Sequence, residues 1–229
     1  MYKKAIAIFI SSLLIFSFVF LDVNANEARV FRKSQGSSKK IALTFDDGPH
    51  PRLTPEILEI LDEYGIKATF FVIGKNVLDY PDTMRILANS GCEIGNHTFS
   101  HCDLIGKSET QVKDEILACS RTLNENYGIK TNLLRPPRGK LDDSVMAVGE
   151  ELDYDIILWN IDTEDWAHTS AKDIAKRVLG SVTGGDIVLM HDFIGHSGHT
   201  CEALRLIIPE LLERGFEFVT VSELIRDEI

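Results

Sequence analysis

Two adjacent carboxylates, Asp46 and Asp47, stand directly ahead of Gly48 and Pro49. Neighbouring side chains at the end of a strand project in different directions, so one can hold a cation while the other faces a substrate. Taken alone, Asp-Asp-Gly-Pro is equally a common turn. His97 and His101 lie four residues apart, a spacing that puts both imidazoles on one face of a helical turn and within reach of one ion. A carboxylate from another strand end would complete a His-His-Asp set with open positions for water and a substrate oxygen, as a metal that does chemistry requires. Arg135, the segment Asp162 to Trp166, and Leu189 to Asp192 are the other polar clusters. Each has a plain rival: Arg135 as a surface ion pair, Trp166 and Leu189 as core, His191-Asp192 as an ordinary loop pair. His168, His196 and His199 read as solvated loop residues.

The elements that must position these groups alternate between apolar runs and amphipathic segments. Strand-like stretches cover Lys40 to Phe45, Ala68 to Gly74, Glu93 to Asn96, Asn132 to Arg135, Tyr154 to Ile161, Asp186 to Met190 and Phe216 to Val221. Helical patterns fall between them. Thr54 reads as an N-cap ahead of Pro55, and Ser108 with Gln111 as a capping box opening a helix that Gly128 ends. Further helices are expected at Pro81 to Asn89, Asp142 to Leu152, Ala171 to Val182, Cys201 to Arg214 and from Ser222 onward. Seven β-then-α units imply parallel strands, in an open doubly wound sheet or a closed barrel. In either design reactive groups gather at the C-terminal ends of the strands. Asp46-Asp47, His97, Arg135, Asp162 to Trp166 and His191 all fall at such ends, which favours one shared site.

Lys3 and Lys4 precede an apolar run from Ala5 to Leu21, and a small residue follows at Ala25. This is the pattern of a secretory signal spanning residues 1 to 25. The run is at the short end of what spans a bilayer, so a retained N-terminal membrane anchor is the alternative. A polar leader, 26 to 39, then leads to a single catalytic domain, 40 to 229, that the signal would export. The net charge of −11 argues against nucleic acid as a partner, and no obligate protein partner is indicated. The four cysteines, Cys92, Cys102, Cys119 and Cys201, allow up to two disulfides in an exported chain and match no zinc spacing.

From about Lys40 onward the chain resembles the polysaccharide deacetylases that share the NodB homology domain, carbohydrate esterase family 4. Five motifs carry the resemblance in order: Thr44 to Pro49, His97 to His101, Arg135-Pro136-Pro137-Arg138, Asp162 to Trp166, and Leu189-Met190-His191-Asp192. The third departs from the family's Arg-x-Pro-Tyr, with Arg138 in the tyrosine position. The resemblance implies an α/β fold, a distorted and incompletely closed (β/α)7 barrel with parallel strands. It implies a divalent metal held by Asp47, His97 and His101, zinc first, with cobalt or another divalent ion as alternatives. Asp46 becomes the general base oriented by Arg135, and His191 the general acid tuned by Asp165. The Arg138 main-chain N–H becomes the oxyanion donor, and Trp166 and Leu189 wall the pocket around the acetyl methyl group. The implied reaction removes N-acetyl groups from amino sugars of a polysaccharide, peptidoglycan first (GlcNAc or MurNAc). Chitin oligosaccharides, acetylxylan and a non-catalytic wall-binding role are the alternatives.

Overall fold

The computed structural model describes residues 29–36, 39–194 and 199–226. The expected export signal and His196 lie outside these residues. In chain order the elements are β1 (Val30–Phe31), β2 (Lys40–Asp46), α1 (Leu53–Glu63), β3 (Thr69–Val72), α2 (Gly74–Asp79), α3 (Pro81–Asn89), β4 (Glu93–Asn96), α4 (Glu109–Tyr127), β5 (Leu133–Leu134), α5 (Asp143–Glu151), β6 (Asp155–Ile157), β7 (Ile161–Asp162), α6 (Ala171–Ser181), β8 (Ile187–His191), α7 (His199–Glu213), β9 (Glu217–Phe218) and α8 (Val221–Ile225).

The strands form one parallel sheet in the order β1-β6-β5-β4-β3-β2-β8-β7, with β9 pairing onto the start of β2. β2 is the keystone. It pairs with β3 through Thr44 to Asp46 and with β8 through Ala42 to Asp46. Its residues beyond Lys40 are all buried, as expected of a parallel strand covered on both faces. The alternation along β2 divides two layers of core. Ile41, Leu43 and Phe45 pack outward among residues of α1 and α7, whereas Ala42 joins an inner cluster with Phe71, Leu133, Ile157 and Ile187. Thr44 and Asp46 share the inward parity of Ala42, which is how a carboxylate comes to lie inside the curved sheet. Phe45 stacks on Phe70 with ring centroids 4.9 Å apart; truncating such a core aromatic to alanine costs about 3–5 kcal/mol.

Barrel closure is incomplete: β1 and β7 end the strand order and do not pair with each other. The stretch read as a leader narrows this gap. Val30 and Phe31 run along β6, Lys33 forms a bridge with Asp186, and the Ser34 N–H donates to the Gly185 carbonyl at 2.8 Å. Gly185, at φ 88°, has no space for a side chain, because a Cβ would sit 2.2 Å from the Ser34 carbonyl oxygen. The folded sheet therefore begins upstream of Lys40.

Local rules account for several helix ends. Ser108 and Gln111 form a reciprocal capping box on α4, which stops at Gly128 in the left-handed conformation. Asp142 and Ser170 cap α5 and α6 through Val145 and Asp173. Three expectations require correction. Thr54 is not an N-cap: α1 begins at Leu53, His50 Nδ1 accepts from the N–H groups of Arg52 and Leu53, and the Thr54 hydroxyl turns inward to Asp192. The run from Tyr154 to Ile161 is two strands, because the chain leaves β6 after Ile157 and crosses to pair with β8. The short helix α2, which begins at Gly74 where the second expected strand was to end, was not anticipated. Cys92, Cys102, Cys119 and Cys201 are all free thiols.

Candidate active site

Every motif cluster reaches the mouth of the sheet at its C-terminal edge, where a cavity of about 390 Å³ is lined by Asp46, Asp47, His97, His101, Arg138, Trp159, Asp162, Trp166, Leu189 and His191. Three groups of contacts organise it.

The first is a ligand cluster. Asp47 Oδ1 lies 3.4 Å from His97 Nε2 and 3.3 Å from His101 Nε2. His97 Nδ1 lies 2.6 Å from the Arg135 carbonyl oxygen; since a carbonyl can only accept, Nδ1 carries the proton and Nε2 presents a lone pair. The buried Asp47 Oδ1 has no hydrogen-bond partner, a costly state for a carboxylate oxygen unless a cation faces it. A tetrahedral ion with ligands at about 2.0–2.1 Å has its donor atoms about 3.3–3.4 Å apart, which is the separation of Asp47 Oδ1 from each of the two imidazole nitrogens. Among the described residues this is the one group of three able to hold an ion, its ligand atoms all within 4.8 Å of one another. The residues therefore fit a divalent metal.

The loop that supplies the imidazoles is not the helical turn expected from their spacing. Residues 97–101 are irregular, with Thr98 and His101 at φ 66° and 56°. Asp47 is also left-handed, at φ 77°. Non-glycine residues held this way cost on the order of 1–3 kcal/mol each and persist where surrounding contacts enforce them. The ring centroids of His97 and His101 are 5.0 Å apart, so proximity survives although its cause differs.

The second group centres on Asp46, whose Oδ1 accepts from Arg135 Nη1 at 2.7 Å while Oδ2 lies 3.7 Å from His97 Nε2. Arg135 is completely buried. Its guanidinium also donates to Thr44 Oγ1 and to the carbonyls of Ile157 and Leu158, and its plane lies 4.1 Å from the Phe71 ring centroid and 5.6 Å from that of Trp159. A surface ion pair is thereby excluded. With Asp46 as its carboxylate partner, it aims the second carboxylate oxygen at the cavity. Two carboxylates this close to His97 demand positive charge: burial disfavours the His97 imidazolium, but Asp46 and Asp47 outweigh burial and raise its pKa. Burial likewise opposes ionisation of Asp47, yet the facing His97 and the charges of His101 and His191 bring its pKa below the ordinary value.

The third group stands beside Asp46 on β8, where His191 is its register partner. Asp165, fully buried, accepts from the main-chain N–H and Nδ1 of His191 and from the Thr200 hydroxyl, each at 2.8 Å. With Nδ1 engaged, Nε2 is the nitrogen left for the cavity. Burial alone would lower the His191 pKa, but the Asp165 hydrogen bond and charge, reinforced by Asp46 and Asp47, lift it to about 9. His191 is a cation at neutral pH with a proton to give.

Leu189 is buried at the cavity floor, while Trp166 is 54% exposed on its rim. Arg138 also stands on the rim, at φ 61°, its side chain exposed and 3.6 Å from Asp103. Trp159 is a wall residue that the sequence hid inside the expected strand Tyr154 to Ile161, whereas it stands just past the true end of β6. His168 and His199 lie outside this cavity; His168 is an exposed turn residue as expected, whereas His199 is not in a loop but is the first residue of α7, 3.7 Å from Glu202. Asp192 points away from it, with Oδ2 accepting from Thr54 Oγ1 at 2.5 Å beneath Gly48, where a Cβ would come within 2.1 Å of the carboxylate.

Residues 33–157 match the family model described as polysaccharide deacetylase. A peptidoglycan-N-acetylglucosamine deacetylase of Bacillus cereus is 39% identical over 192 residues, covering 83% of this chain and 90% of that protein. Among solved structures, a peptidoglycan N-acetylglucosamine deacetylase in complex with 4-naphthalen-1-yl-N-oxidanyl-benzamide superposes with a TM-score of 0.83 at 35% identity, covering 86% of this chain and 92% of that one. A CE4 family pseudoenzyme from Bacillus anthracis superposes with a TM-score of 0.80 at 28% identity, covering 86% and 68%. The sheet of parallel strands and its helices are those of this fold, the incompletely closed (β/α)7 barrel.

Proposed function

The chain belongs to the polysaccharide deacetylase family, and from that premise we propose that it hydrolyses N-acetyl groups on amino sugars of peptidoglycan, using a divalent ion, zinc by preference, held by Asp47, His97 and His101. The observation that carries this reading is a buried Asp46–Arg135 couple and a charged His191–Asp165 couple whose Asp46 and His191 line the same cavity as that ligand cluster. A fold neighbour that is a pseudoenzyme makes this complement of groups, rather than the fold, the reason to assign turnover.

When bound, the ion supplies Lewis acidity toward the acetyl carbonyl and makes water a better nucleophile near neutral pH. Asp46 takes one proton from the attacking water, held ionised and oriented by Arg135. The water oxygen joins the acetyl carbon, the C–N bond breaks, and His191 Nε2 gives its proton to the departing nitrogen. Acetate and the free amine result. The Arg138 main-chain N–H donates to the carbonyl oxygen as it gains charge. Trp166 and Leu189 enclose the acetyl methyl group, with Trp166 offering an exposed ring face to the sugar. Because the net charge of −11 disfavours general adhesion to an anionic wall polymer, binding depends on this shaped groove. Lys3, Lys4, the apolar run and Ala25 support action outside the cytoplasm.

The experiment is acetate release from peptidoglycan, chitin oligomers and acetylxylan by the purified chain, stripped of metal and then restored with zinc or cobalt. Metal-dependent release from peptidoglycan is expected. Metal binding without release from any of the three would overturn the assignment in favour of a wall-binding protein.

A further inference from the structure

The three ligands rest on loops outside regular secondary structure. Asp47, Thr98 and His101 are all left-handed, and the N–H groups of Phe99 and Ser100 lie in a stretch with no regular secondary structure. Two helices brace these loops from behind. At the start of α2 the N–H of Ile73 donates to the Gly48 carbonyl at 3.0 Å, that of Gly74 to the Thr98 carbonyl at 3.0 Å, and that of Lys75 to the Phe99 carbonyl at 2.9 Å. One short segment thus touches both ligand-bearing loops. Asn76 completes it, its Nδ2 donating to the Asp47 carbonyl at 2.7 Å. From the other side, Glu115 on α4 spans the loop between the two histidines: Oε2 accepts from the Phe99 and Ser100 N–H groups at 3.1 and 2.8 Å, and Oε1 from the Ser100 hydroxyl at 2.8 Å.

We propose that Asn76 and Glu115 are positioning residues that hold the Asp47 loop and the His97–His101 loop at metal-binding separation, an inference that rests on the metal reading above. Neither side chain touches the ligand atoms, so each acts through the backbone it fixes. Donor atoms 3.3–3.4 Å apart suit one ion, and affinity depends on that separation being set before the ion arrives. Glu115 replaces the carbonyl partners that the Phe99 and Ser100 N–H groups would have had in a helix, and Asn76 fixes the peptide that follows Asp47.

The test is competitive titration of the metal-stripped chain with zinc and cobalt, alongside the melting temperature of the metal-free protein and the visible spectrum of the cobalt form. Asn76→Ala and Glu115→Ala are expected to weaken metal binding by about 10–100-fold, the usual range for groups that support a ligand shell, and to alter the cobalt spectrum, with little change in metal-free melting. Glu115→Gln, which keeps an acceptor for both N–H groups, is expected to stay within a few-fold of wild type. Should Glu115→Ala fail to fold, Ser100→Ala at its exposed position reads the same brace and is expected to bind several-fold more weakly. Wild-type affinity in these variants, or weakening matched by an equal loss of metal-free stability, would overturn the inference alone. A wild-type chain that binds neither ion would remove the metal reading as well.

Discussion

Replacing Asp165 by asparagine keeps the shape of the His191 partner but removes its charge. The gap of about 2.5 pH units between the ordinary histidine value of 6.5 and about 9 corresponds to about 3.4 kcal/mol favouring the imidazolium. Burial works against this rise, and Asp165 is foremost among the groups that produce it. At pH 7.5 a histidine with pKa 9 is about 97% protonated, and one returned to 6.5 about 9%, so loss of the proton alone costs about tenfold in rate. The sign is definite. The alkaline limb of the pH–rate profile for kcat/KM should fall near pH 9 in the wild type and move toward 6.5 in Asp165→Asn, with activity recovering as the pH is lowered. Because a bound cation offsets part of the influence of Asp46 and Asp47, the comparison is between the two proteins with the same metal. Acetate release from peptidoglycan gives the profile, and NMR titration of His191 gives the pKa directly. An alkaline limb that stays in place while His191 titrates lower would refute the general-acid role.

Other outcomes follow from the same geometry. Asp46→Asn should bind metal yet lose turnover, because the ligand set is intact and the base is gone; undiminished acetate release would refute the base assignment. Arg135→Met should lower stability by about 3–5 kcal/mol in denaturant unfolding, since it leaves Asp46 buried without its counter-charge; a loss under 1 kcal/mol would show that the pair is not coupled to the fold. Burial, helped by Asp47 and Asp46, raises the Asp192 carboxyl to about 7, so the folded state prefers it neutral. In the metal-free chain its contribution to stability is present at pH values below 3.8 and is lost as pH rises toward 7. Asp192→Asn should flatten that loss in melting curves taken across this range, and an unchanged slope would count against it.

Much of the site was legible because parallel strands deliver their C-terminal ends to one edge. Asp46, His97, Arg135 and His191 each followed a recognisable strand, so their meeting could be argued from order alone. The capping box of Ser108 and Gln111 and the stop at Gly128 were equally plain, being set by side chains within the segment. What escaped notice depended on partners distant in sequence. Val30 and Phe31 make a strand too short to show alternation, formed only because β6 offers them an edge. α2, from Gly74 to Asp79, is shorter than two helical turns and leaves no period to detect. His97 and His101 looked helical by spacing, but Glu115 and Asn96 satisfy the loop N–H groups instead. No local pattern marks Glu115 or Asn76, since each acts on backbone far along the chain.

Anomalous diffraction at the zinc edge, from crystals of the chain loaded with zinc, most directly tests whether Asp47, His97 and His101 converge on one ion. A single strong peak among Asp47 Oδ1, His97 Nε2 and His101 Nε2 is expected, lost in His97→Ala. A peak elsewhere, or none at these three atoms in zinc-loaded protein, would contradict the account.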